Sequence, residues 1–225
     1  MRAFLLGPSM YLIDVHRIES ALGAALEVCD APEVYLEPGN YAGHASIDAM
    51  LSFTQGKYDI PIHLWDVTFE GRITGSRIER YNDRIEISIQ SGQDERWKRF
   101  CSAKELIHLL IDGQEDVSPY GHDRIDELLA KGLIGLASGV NPTGNPTQSE
   151  LVAEIAAIEI LYPSSQIIMD LAALENNGED RRLNVRRVGL ERQMPDFYAS
   201  TALNPAFRQY VQAAMEQCQK TRKAT

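Results

Sequence analysis

Apolar residues recur at helical spacing along most of this chain and alternate in one central stretch. Over 11–29, Val15, Ile18, Leu22, Ala25, Leu26 and Cys29 share a stripe with Asp14, Arg17 and Glu27 off it, predicting an amphipathic helix. The Asp30-Ala31-Pro32 break closes it. Residues 33–45 follow no period, carry the turn signal Pro38-Gly39-Asn40, and read as loop. A shorter helix is predicted near 46–54, with Ser46 as its cap and Gly56 beyond its end.

Strands follow. Residues 60–69 are rich in apolar and β-branched side chains, and 72–80 read as a second strand. Tyr81-Asn82-Asp83-Arg84 is the turn into 85–90, where Ile85, Ile87 and Ile89 alternate with Glu86 and Ser88. A small, mainly antiparallel sheet with one wet face is the expected result. A helix over 94–111 then starts at Asp94 as cap. Residues 112–149 carry an acidic turn, a short helix near 122–131 and a loop rich in glycine and proline. The glycines at 132, 135, 139 and 144 fit no phosphate loop, because no Gly-Lys-Ser/Thr follows them. An amphipathic helix over 150–163 stops at Pro163, another near 164–175 ends at Asn177-Gly178, and further helices are predicted over 180–193 and 204–221.

Composition narrows the function classes. Hydrophobic residues make up 44% and charged residues 24% of 225, ordinary values for a globular fold. A net charge of −10 opposes general affinity for nucleic acid or for an anionic membrane. Arg181, Arg182, Arg186, Arg187 and Arg192 fall in one predicted helix; a solvated face paired with Glu179, Asp180 and Glu191 is the simpler reading of them, a basic patch of a DNA-linked regulator the bolder one. Cys29, Cys101 and Cys218 are too scattered for a disulfide framework or a cysteine metal site, which points to reduced thiols and a cytoplasmic location. No stretch approaches the ~20 apolar residues of a membrane span.

Candidate chemistry lies on the 94–111 helix. Residues 99–108 read Arg-Phe-Cys-Ser-Ala-Lys-Glu-Leu-Ile-His, and Lys104, Glu105 and His108 share one side of the helix. The zinc-peptidase motif H-E-x-x-H places two histidines on one helical face to grip zinc, with the glutamate activating a metal-bound water. Glu105 and His108 hold its second and fifth positions, but its first is Lys104, whose ammonium has no lone pair. His16, His44, His63 and His122 have no spacing that would make them the missing ligand, although His122 lies between the two motif-bearing helices.

Together the two helices resemble the ImmA/IrrE family of bacterial and phage metallopeptidases, whose pattern is roughly R-F-T-x-A-H-E-x-x-H followed by E-x-x-A-[ND]-x-F-A-x-x-L-L-x-P. Arg99, Phe100, Ala103, Glu105 and His108 match the first part. Glu150, Ala153, Ala157, Leu161 and Pro163 match the second, with Glu154 where the family has Asn or Asp. The likeness covers about residues 62–163 and implies an α+β, zincin-like fold with additional C-terminal helices. It implies a domain over 1–163, interrupted by an insertion at 112–149, with 164–225 as a helical extension packed on it.

By the same resemblance Glu150 inherits the third metal-ligand position, so His108 and Glu150 are the metal ligands if a metal is retained, Glu105 the catalytic base if the chain is active, and Lys104 and Glu154 line the site. The implied function is that of a degenerate, inactive pseudopeptidase with no cofactor and a regulatory role in bacterial or phage stress or repressor control. Its partner would be a protein, such as a transcriptional repressor. The alternative is an active zinc metallopeptidase with an unconventional site. If Lys104 stands in for the metal's charge, its nitrogen is expected within about 4 Å of Glu105 or Glu150, the limit of an ion pair.

Overall fold

Why this chain forms mostly helix is visible at the helix starts, where short polar side chains satisfy the first free N–H groups. The computed structural model describes residues 14–35, 44–69, 75–113, 116, 145–177 and 181–224. In α1 (Val15–Asp30) Asp14 accepts from His16 N, and in α2 (Ile47–Tyr58) Ser46 Oγ accepts from Ala49 N. The strands are β1 (Ile62–Val67), β2 (Ser76–Arg80) and β3 (Ile85–Gln90), and α3 (Glu95–Ile111) starts on an Asp94 cap. The remaining helices are α4 (Asn145–Leu161), α5 (Ser164–Asn177), α6 (Arg181–Glu191), α7 (Asp196–Ala202) and α8 (Pro205–Ala224). The helix predicted near 122–131, the Pro38-Gly39-Asn40 turn signal and His122 lie outside the described residues.

The sheet differs from the expected one. Its order is β1-β3-β2, with β2 antiparallel and β1 parallel to β3, so it is mixed rather than mainly antiparallel. The Tyr81–Arg84 hairpin forms as predicted, with Tyr81 N donating to Arg84 O. The chain passes from one edge of the sheet to the other between β1 and β2. Burial accounts for the order: Ile85, Ile87 and Ile89 are all buried, so β3 takes the centre, while the more polar β1 and β2 take the edges.

Helix α4 packs on both α1 and α3, α3 lies across β2 and β3, and α8 packs on α1. Ile18, Leu22, Leu106, Ile107, Ile155 and Ile158 are almost wholly buried where these elements meet. This is an α+β fold of three strands and, among the described residues, eight helices. The arrangement sets the middle of α3 against the start of α4, with β2 alongside.

Candidate functional site

Helical spacing puts Lys104, Glu105 and His108 on adjacent turns of α3, and the packing of α4 brings Glu150 to them. Lys104 Nζ lies 2.7 Å from Glu150 Oε2 and 3.0 Å from Glu105 Oε1, with the lysine side chain 13% exposed. Glu105 is held from its other side by Ser76 Oγ of β2 at 2.5 Å. His108 Nε2 lies 3.4 Å from Glu150 Oε1, near enough for charge attraction but without the alignment of a hydrogen bond. The structure therefore brings Lys104, Glu105, His108 and Glu150 together, four of the five site residues expected from the sequence, with Glu154 engaged by Tyr198 instead.

Three further residues complete the cluster. Asp112, the C-cap of α3, lies 3.0 Å from His108 Nδ1. Ser149 Oγ lies 3.1 Å from the same nitrogen and donates to Asp112 Oδ1. Arg80 of β2 reaches Asp112 at 3.6 Å. The Ser149, His108 and Asp112 set is not a nucleophilic triad. A triad needs one ring nitrogen for the serine and the other for the carboxylate, whereas here both crowd Nδ1. Asp112 stands four residues after His108, and Ser149 directly precedes Glu150; helical spacing from the motif was the one signal that could have found Asp112.

Electrostatics bind this group into one charged unit. Burial disfavours the Lys104 ammonium, but Glu105 and Glu150 outweigh it and hold the pKa well above the ordinary lysine value. Burial likewise opposes the His108 imidazolium, yet Glu150 and the Asp112 hydrogen bond push its pKa up to about 10. Burial would raise Glu150; Lys104 and His108 prevail and hold it well below the carboxylate range. For Asp112 too, burial is overcome, chiefly by His108, and the pKa is lowered.

Glu154, one turn along α4, accepts from Tyr198 Oη at 2.9 Å, and the Tyr198 ring stacks on Phe100 at 3.5 Å. Cys101 also borders this region; burial raises its thiol pKa, so it is no ready nucleophile. Of the remaining histidines, His16, 3.4 Å from Glu19, His63, 5.9 Å from the Trp65 ring, and His44 are all exposed, unlike the buried His108. The arginine-rich stretch divides. Arg182 and Arg186 are exposed, whereas Arg192 lies past the end of α6, is buried, and pairs with Asp170 at 2.8 Å. It does not belong to a surface patch.

The donor set does not suit a catalytic zinc. Glu150 offers oxygen, but His108 is held as an imidazolium by Glu150 and Asp112, so its Nε2 has no lone pair to give until it loses a proton. The third position is Lys104, a protonated group lodged between the carboxylates a metal would need. Among the described residues no group of three His, Cys, Asp or Glu side chains is arranged to hold a metal ion.

No family model matches the chain. Comparison with curated proteins gives no match either. Among solved structures the chain is similar to a Mycobacterium tuberculosis transcriptional regulator, at 12% identity and a TM-score of 0.47, covering 92% of this chain and 53% of that one. The chain thus spans about half the length of that neighbour. A likeness of this strength assigns neither family nor function.

Proposed function

We propose that this chain is a degenerate zincin-fold protein of the ImmA/IrrE type, a pseudopeptidase that binds and regulates a protein partner rather than cutting it. The observation that carries the reading is the Lys104 ammonium, 2.7 Å from Glu150 and 3.0 Å from Glu105. It supplies positive charge where the related enzymes would hold zinc, so the acidic side chains stay satisfied without metal. Glu105 then has no metal-bound water to activate, and His108, charged and braced by Asp112, works as a structural cation. The partner is a protein, and a transcriptional repressor in a bacterial or phage stress setting is the proposed kind.

Replacing Lys104 tests this directly. Lys104→Ala removes the ammonium but adds no donor, while Lys104→His removes it and adds a nitrogen at the spacing of the zinc motif. Calorimetry at matched pH should show weak zinc binding for the wild type and for Lys104→Ala, and sharply tighter binding for Lys104→His. Peptidase activity need not return with the metal, because Ile107 takes the place of a smaller residue in the family pattern. Equal zinc affinity in wild type and Lys104→His, whether tight or negligible, overturns the reading.

A further inference from the structure

On the far side of α3 from the Lys104 cluster, a pocket opens between β1, the start of α2 and the first turns of α3, lined by Leu64, Trp65, Asp66, Lys98, Arg99 and Gln193 among others. Three features set it apart from an ordinary surface dent. The first is its relation to the strand. Successive side chains of a strand point to opposite faces, so a pocket touching Leu64, Trp65 and Asp66 in a row reaches across the strand's edge.

That edge is open. Pro61 O and Val67 O accept from Ile85 N and Ser91 N, so the odd-numbered residues of β1 turn their polar backbone groups toward β3. The N–H and C=O groups of Leu64 and Asp66 point away from the sheet. Gln55 Nε2 takes Ile62 O at one end, which leaves the stretch beside the pocket free among the described residues.

The second feature is charge. Lys98 is spoken for by Asp66 at 2.9 Å and Glu95 at 3.2 Å. Among the described residues Arg99 pairs with no carboxylate: one end of its guanidinium donates to Ala45 O and its Nε is buried, which leaves the other Nη group to face the pocket it lines. A guanidinium with five donors and so few acceptors is a receptor for a carboxylate. The third feature is Trp65, 51% exposed on the outer strand, offering a flat apolar surface to a neighbouring side chain.

We infer that β1 and this pocket form a docking site for an extended acidic peptide, which adds as a strand to the outer edge of β1 and places an Asp or Glu carboxylate on Arg99. Backbone bonds to Leu64 and Asp66 give the affinity, and Arg99 with Trp65 gives the selectivity. A second copy of this chain would pair through the same Leu64 and Asp66 backbone groups but would bring no chosen carboxylate to Arg99, and protein concentration in the test below separates it from a peptide. Nucleic acid does not match the edge, because half of its outward backbone groups are carbonyl oxygens, which a peptide N–H satisfies and a phosphate cannot. The site is separate from the Lys104 cluster, so its failure leaves the pseudopeptidase reading standing.

Selection of short randomised peptides on the whole wild-type protein tests it. The enriched pool should carry Asp or Glu at one fixed position, and changing that residue to its amide should weaken binding about tenfold or more, the worth of a charge-assisted hydrogen bond. Arg99→Gln should erase the acid preference. Leu64→Pro, tolerable on an edge whose N–H faces outward, should abolish binding. A selected peptide should slow amide exchange at Leu64 and Asp66. The inference is overturned if no pool enriches, if the pool has no acid preference, or if a bound peptide leaves those amides unprotected. It is equally overturned if raising the protein concentration alone protects them, which would make a second copy the occupant. Should either variant fail to fold, the acid-to-amide change in the peptide and the exchange at Leu64 still decide the matter on wild-type protein.

Discussion

The ammonium of Lys104 stays charged in a nearly closed interior because Glu105 and Glu150 flank it. Removing one member of such a group costs more than its own bonds, since the others are left charged and buried. Spacing along the sequence found Lys104, Glu105 and His108, and resemblance found Glu150. Neither found Ser149 or Arg80, which reach His108 and Asp112 only through the packing of α4 and β2. Another buried carboxylate follows the opposite rule. Burial pushes the Glu159 pKa up to about 7 against its bonds from Ser164 N and Oγ, at 2.8 and 2.7 Å. The folded chain therefore holds this proton more tightly than the unfolded one. The resulting stabilisation is fully present below the ordinary value of 4.5 and is lost as pH rises through about 7. Its size is roughly 3 kcal/mol. Glu159→Gln should flatten the decline between those limits, as followed by urea unfolding at stepped pH. An unchanged slope would place the titrating group elsewhere.

Helices were legible where a cap and a period coincide, as Ser46 and Asp94 show; α1, expected from residue 11 on its period alone, instead starts at Val15 on an Asp14 cap. Strand order was not legible. Alternation identifies strands but not neighbours, and the hairpin at Tyr81–Arg84 fixed only the β2–β3 pair. Helix α7 escaped as well: its seven residues are too few to show a period, and tertiary burial of Tyr198, Ala199 and Ala202 holds it. The turn between α6 and α7 is tight, with Met194 N donating to Gly189 O at 2.9 Å. A Cβ on Gly189 would stand 2.7 Å from Asp196 Oδ1 and 3.1 Å from Met194 O. That aspartate also holds Arg96 of α3 at 2.6 Å, so it cannot swing away without loosening α7 from α3. Alanine gains up to about 1 kcal/mol in helix propensity but forces this contact, and overpacking costs roughly 1–3 kcal/mol. Gly189→Ala should lower the melting temperature. A rise would show slack in the turn that the distances do not suggest.

At the scale of the whole molecule, the expected division at residue 163 meets a hydrophobic core that runs through both parts. Ile18 and Leu22 of α1 belong to the same buried cluster as Phe207, Val211 and Ala214 of α8. Phe207 is 4% exposed, so its ring is fully part of that shared cluster. A shared core couples the parts: one cannot open without exposing apolar surface on the other. Both tryptophans lie before the division, Trp65 on β1 and Trp97 edge-on to Tyr198 of α7, so fluorescence reports the first part and its seam with α7 while circular dichroism reports helix throughout. Phe207→Ala should cost about 3–5 kcal/mol, as large-to-small changes in a closed core do. That loss should shift the fluorescence and circular dichroism transitions by the same denaturant increment. If fluorescence kept its wild-type midpoint while the helical signal melted earlier, the last helices would be an appendage with their own stability, and the chain would have to be treated as two folding units.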